Sequence, residues 1–110
     1  MTNDIDRSIV EELTRRLLAH DGARIKRVIL YGSRAQGTAR PESDYDLLVV
    51  ESGPVATHEE VMRLRRALDD LSLSVDVWVM DEQEFQETKN VIGGLAYPAH
   101  KYGVVLYEGA

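Results

Sequence analysis

Three aspartates and one Gly–Ser pair are the residues of this chain whose types and spacing could do chemistry. They lie in and after the run Leu30–Val50, LYGSRAQGTARPESDYDLLVV. Asp44 and Asp46 stand two apart at the start of an apolar segment, and residues two apart on a strand share a face. Carboxylates placed together repel, at a free-energy cost, unless a cation lies between them. Asp76 sits between Val75 and Val77, where an unpartnered carboxylate would be costly. A salt bridge to Arg or Lys would explain it; a metal role is the stronger reading. Three carboxylates on one patch are hard oxygen ligands, suited to Mg²⁺ or Mn²⁺, and magnesium keeps positions open for water and substrate phosphates.

Gly32-Ser33 supplies the complementary half. Glycine lets a phosphate approach the backbone, and the N–H groups of a helix start, with the Ser33 hydroxyl, would point at it. If the strand before Gly32 and the strand after Asp44 are antiparallel, this cradle faces the carboxylates. That is the layout for metal-assisted phosphoryl transfer from a nucleoside triphosphate, with two ions. Ser33 as a plain helix cap and Asp44 as a turn residue are the blander readings, and each is weaker once the residues are taken together. Arg34 and Arg40 could reach a triphosphate or stand solvated; Arg34 is kept as a cofactor-binding candidate. Trp78 shares a strand face with Asp76 but is expected in the core. His20, His58 and His100 have no ligand spacing and are expected at the surface.

These residues need elements to position them. Ile5, Ile9, Leu13 and Leu17 predict a helix over residues 3–20, stopped by Gly22. Ile25–Tyr31 reads as a strand, and Ser33–Gln36 as a capping box opening a short helix. Asp44–Val50, apolar on both faces beyond Asp46, reads as a central strand. Thr57–Glu60 is a second capping box, followed by Val61, Leu64, Leu68 and Leu71 at helical spacing. Ser74–Met80 is a third strand. Asp81–Glu84 caps a helix running into the low nineties, and Val104–Tyr107 is a final strand. Tyr97-Pro98 is weighed as a cis peptide and set aside on base rate. The helix between the second and third strands favours a parallel crossover. The expected fold class is therefore α/β (α+β): a mixed sheet of about four strands flanked by helices, in one domain over residues 1–110.

Composition narrows the function. Nineteen acidic against 13 basic residues, a net charge of -6, argue against an independent nucleic-acid binder. With no cysteine, disulfides and thiolate zinc sites are excluded. No apolar run approaches a membrane span, and Met1-Thr2-Asn3-Asp4 lacks the features of a signal peptide, so a cytoplasmic setting is expected.

The run from Gly32-Ser33-Arg34-Ala35 to Ser43-Asp44-Tyr45-Asp46-Leu47, with Asp76 after an intervening helix, resembles the nucleotidyltransferase fold of the DNA polymerase β superfamily. The ending, from Phe85 through Ala96-Tyr97-Pro98 to Gly103–Glu108, is similar to that of its minimal nucleotidyltransferases. The resemblance implies catalytic and metal-binding roles for Asp44, Asp46 and Asp76, nucleotide contacts from Gly32 and Ser33, two Mg²⁺ ions, and ATP as substrate. Such proteins resemble the antitoxins of HEPN/MNT toxin–antitoxin pairs. The implied partner is a helical HEPN-domain ribonuclease toxin, silenced when AMP is moved from ATP to one of its tyrosines. An antitoxin acting by occlusion would need no metal ligands. Nucleotidyl transfer to a small molecule such as an aminoglycoside is a third possibility, in enzymes that are larger.

Overall fold

Leu47, Leu48, Val49 and Val50 have no polar group to turn toward water, so their strand must be covered on both faces. A computed structural model of the chain describes residues 7–109, and all four are fully buried in it. The elements in order are α1 (Arg7–Asp21), β1 (Ile25–Tyr31), α2 (Ser33–Gln36), β2 (Tyr45–Glu51), α3 (Thr57–Ala67), β3 (Val75–Asp81), α4 (Glu82–Thr88), α5 (Ala96–Tyr102) and β4 (Val104–Glu108). The sheet order is β3-β2-β1-β4. β2 runs parallel to β3, and β1 is antiparallel to both β2 and β4. This is the expected α+β mixed sheet, with β2 inside it. The expected start of α1 at Asn3, with Ile5, lies outside the described residues.

Alternation along the strands sends side chains into two cores. On one face Val28, Leu30, Leu47, Val49, Val77 and Val79 meet Val10, Leu13 and Leu17 of α1 and Val61 and Leu64 of α3. On the other, Ile29, Leu48, Val50 and Met80 meet Phe85 of α4 and Ala96 and Ala99 of α5. Each fully buried aliphatic side chain stabilises the fold by ~1.5–3 kcal/mol before entropy is subtracted. Arg27 on β1 ties the outer elements together. Its guanidinium donates to Glu108 on β4, reaches Glu82 on α4 at 3.0 Å, and lies 5.4 Å from the Phe85 ring centre.

Several local expectations are corrected. α3 starts at Thr57 with Ala56 as its cap residue and no side-chain cap, because the Glu60 carboxylate turns to Arg63 at 2.6 Å instead of back to the helix start. Asp81, by contrast, does cap α4: its side chain accepts from the Glu84 N–H at 2.7 Å. α4 ends at Thr88 and not in the low nineties. The second core is then completed by α5, a helix absent from the sequence reading. Tyr97-Pro98 is not cis, in keeping with its being set aside, while a cis peptide that the sequence did not flag falls at Gly53-Pro54. Trp78 is 46% exposed, since the helices of its face cover Met80 and leave the outer part of edge strand β3 open.

Gly103 joins α5 to β4 where the chain has no room for a side chain. A Cβ there would run into the Ala99 carbonyl and lie 2.7 Å from Ile29 Cγ2 and 2.9 Å from the Leu30 carbonyl. Two of those neighbours are backbone and cannot swing away. Gly103→Ala is therefore expected to lower stability by ~1–3 kcal/mol, read as a reduced urea midpoint at unchanged slope.

Candidate active site

The sheet register builds the site. Antiparallel pairing sets Tyr31, the last residue of β1, opposite Asp46 at the start of β2. Parallel pairing sets Asp46 beside Asp76 on β3. Asp44 lies just before β2, where the Tyr45 N–H donates to the Ser74 carbonyl at 2.9 Å and the Ser74 hydroxyl donates to Asp44 Oδ1. The three sequence-predicted carboxylates thus gather at one end of β2 and β3. Asp76 is 54% exposed rather than enclosed among valines, and it carries the salt bridge weighed in the sequence: Arg65 Nη2 on α3 lies 2.9 Å from its Oδ1.

The electrostatics follow from this gathering. Partial burial raises the pKa of Asp46, and the neighbouring charges of Asp76 and Asp44 raise it further. The Tyr31 hydroxyl is pushed up to about 12, first by burial and then by the charges of Asp46 and Asp76. Among the described residues, no three acidic or histidine side chains converge as a ready-made metal cage. Two of the three carboxylates are instead held by protein donors, Ser74 on Asp44 and Arg65 on Asp76.

Gly32 joins the cradle to the carboxylates. Its φ of 78° and ψ of -158° fall in a region reserved for glycine, and a Cβ would collide with Asp46 Oδ2. Its carbonyl accepts from the N–H groups of Ala35 (3.1 Å) and Gln36 (3.2 Å). Ser33 is the first helical residue and not a side-chain cap. By helix geometry the N–H groups of Ser33 and Arg34 have no acceptor one turn back. Arg34 has a different place from that expected of a phosphate contact. Its guanidinium donates to the Ser43 carbonyl (2.9 and 3.2 Å) and to Pro41 (3.1 Å), and stacks 4.3 Å over the Tyr45 ring. It clamps the loop that delivers Asp44. Arg40 is exposed, as are His20, His58 and His100. Sequence reasoning missed Arg65 and Ser74. Ser74, opening the third strand, offered a faint signal; Arg65 offered none, being one of three arginines on α3.

Comparison with known proteins agrees with this geometry. Residues 7–94 match the nucleotidyltransferase domain family, and the chain belongs to it. It is a nucleotidyltransferase. A toxin–antitoxin crystal structure with AMP-PNP superposes with a TM-score of 0.58 at 25% identity, covering 90% of this chain and 73% of that one. A variant of the MntA–HpeT toxin–antitoxin superposes at 0.56 and 19% identity, over 90% of this chain and 72% of that one. Spectinomycin adenyltransferase from Enterococcus faecialis, with ATP and spectinomycin, superposes at 0.52 and 20% identity, over 73% of this chain and 36% of that one. These last two likenesses speak for the fold alone. No curated protein matches by sequence. Among the described residues no helix is long and apolar enough to cross a membrane.

Gly32→Ala is expected to destabilise the fold by ~1–3 kcal/mol, from strained backbone and the displaced Asp46 carboxylate. Equilibrium unfolding in urea checks it. Asp46 gives a pH signature. Its folded pKa lies above its unfolded one, so between the two the native state binds more protons and stability falls as pH rises. In chelator, Asp46→Asn should melt above wild type at pH 7, and the gap should close as the pH drops through the ordinary carboxylate range. A gap constant with pH would place the cause elsewhere.

Proposed function

We propose that the chain is a Mg²⁺-dependent nucleotidyltransferase antitoxin that transfers AMP from ATP to a tyrosine hydroxyl of a helical HEPN-domain ribonuclease toxin, silencing it in the cytoplasm. The observation that carries this reading is the register of Asp46 with Asp76 while Gly32 lies against the Asp46 carboxylate. The donors are all oxygen, and Asp46 is partly buried with the charges of Asp76 and Asp44 beside it, which suits a hard divalent cation. Asp44, Asp46 and Asp76 would hold it. Bound there, it supplies Lewis-acid stabilisation of phosphate oxygens and a lowered pKa for the attacking hydroxyl.

The chain's own residues do the rest. Gly32 and Ser33 bind the triphosphate through backbone N–H groups and the Ser33 hydroxyl. Arg34 fixes the loop that sets Asp44. The acceptor oxygen forms its bond to the α-phosphorus, the bridge to the β-phosphate breaks, and pyrophosphate leaves. The hydroxyl proton passes to a carboxylate of the site. AMP-PNP in the similar toxin–antitoxin structure supports an ATP-type substrate and a toxin partner. A small-molecule acceptor is favoured only by the likeness to spectinomycin adenyltransferase, of which this fold spans about a third.

Transfer should vanish in chelator, and Asp44→Asn or Asp46→Asn should lower it ~10²-fold or more with the fold intact. Ser33→Ala should cost ~1.5–3 kcal/mol of transition-state stabilisation, one hydrogen bond to a charged group. The deciding experiment titrates the protein against toxin ribonuclease activity, with ATP and with an analogue not cleaved between the α- and β-phosphates. One molecule should silence many toxins with ATP, each gaining the mass of AMP. Stoichiometric, ATP-independent protection by wild type and Asp44→Asn alike would establish occlusion instead.

A further inference from the structure

We propose that Arg65 is the resident counter-ion of Asp76, occupying the carboxylate until a divalent cation displaces it, so that the Arg65–Asp76 pair sets the cation threshold of the site. The inference rests on the reading of Asp44, Asp46 and Asp76 as cation ligands. Arg65 Nη2 lies 2.9 Å from Asp76 Oδ1, across from α3 to β3. Asp76 stands beside Asp46 in register, so this guanidinium is the positive charge placed at the acidic pair. In this arrangement Asp76 is already partnered, and no three-ligand cage is preformed among the described residues.

The pair is built to exchange. The side chains are 49% and 54% exposed, and half-exposed ion pairs are weak. A displaced guanidinium also has somewhere to go. A cavity of about 390 Å³ between the end of α3 and the start of β3 is lined by Arg65, by Asp69 four residues on, and by Ser74. Asp69 offers a second carboxylate to the released arginine. Ser74 is the donor that holds Asp44, so one cavity borders the partners of two of the three carboxylates. Arg65 is thus a positioning residue acting through Asp76, a counter-charge that a bound cation must displace.

The test is Mn²⁺ binding to the whole protein, followed by the electron spin resonance of free Mn²⁺, without nucleotide and with the uncleavable ATP analogue. Arg65→Ala should tighten Mn²⁺ by about two- to fivefold, the worth of a half-exposed ion pair. Arg65→Lys, which keeps a point charge in reach, should stay within about twofold of wild type. Arg66→Ala removes the same charge from α3 without touching Asp76 and should also stay near wild type, separating displacement from a general field effect. In an Asp76→Asn background, Arg65→Ala should change nothing. Circular dichroism of each variant checks that it is folded. Binding unchanged or weakened in Arg65→Ala, while Asp76→Asn weakens it, would overturn the inference and leave the proposed function standing. So would equal tightening by Arg66→Ala. Mn²⁺ binding indifferent to Asp44→Asn, Asp46→Asn and Asp76→Asn together would overturn the metal reading itself, and this inference with it.

Discussion

Neighbouring strands lie ~4.8 Å apart, and this fold sets two carboxylates side by side across that gap. Asp46 and Asp76 face each other because β2 and β3 are parallel and in register there. Partial burial and then the charges of Asp76 and Asp44 raise the pKa of Asp46, and the rest of the structure must offset that cost. It does so just behind the site. Directly after Asp46, β2 buries Leu47 to Val50 on both faces, with α1 and α3 on one side and α4 and α5 on the other. A slip of one residue along β2 would exchange the contents of its two faces, putting Asp46 on the Leu47 side. The apolar run therefore both stabilises the strand and holds the acidic pair in place.

The parts of this arrangement legible in the sequence were those written as short-range patterns. β-branched runs located β1, β2 and β3 within a residue or so, and the helix in the β2–β3 connection foretold the parallel crossover that brings Asp76 to Asp46. The Asp44, Asp46 and Gly32 positions followed from spacing alone. α5 was hidden because only Ala96 and Ala99 of its seven residues are buried, too short a stripe to register as a period. The capping box at Thr57 failed for a different reason: Glu60 found a stronger partner in Arg63 than a backbone N–H. Trp78 was misread because whether an edge strand's outer face is covered depends on where the helices end, which no local pattern states.

The far side of the sheet is braced by charge where the near side is strained by it. Arg27 and Glu108 are cross-strand partners on β1 and β4, and the same guanidinium reaches Glu82 and overlies Phe85. One side chain thereby links β1, β4 and α4, and of these β1 and α4 supply Ile29 and Phe85 to the second core. This matters for the site because β1 also carries Tyr31 and leads into Gly32. A β1 fixed at Arg27 fixes the turn at Gly32, five residues later.

Gly32 is where the two halves of the site become one. The glycine-bearing half rises from β1 and α2, the acidic half from β2 and β3, and the contact between them is a backbone without a side chain against the Asp46 carboxylate. No mobile linker separates them, since Tyr31 is hydrogen-bonded into the sheet opposite Asp46. Such a site is preorganised in its backbone, the condition under which fixed dipoles and charges contribute most to catalysis. Its side-chain partners are of another kind. The Ser74 hydroxyl on Asp44 comes from the residue before β3 and the Arg65 guanidinium on Asp76 from α3, both side-chain contacts outside the strand pairing. The frame fixes where the carboxylates stand, and two side-chain donors, one neutral and one charged, partner Asp44 and Asp76 there.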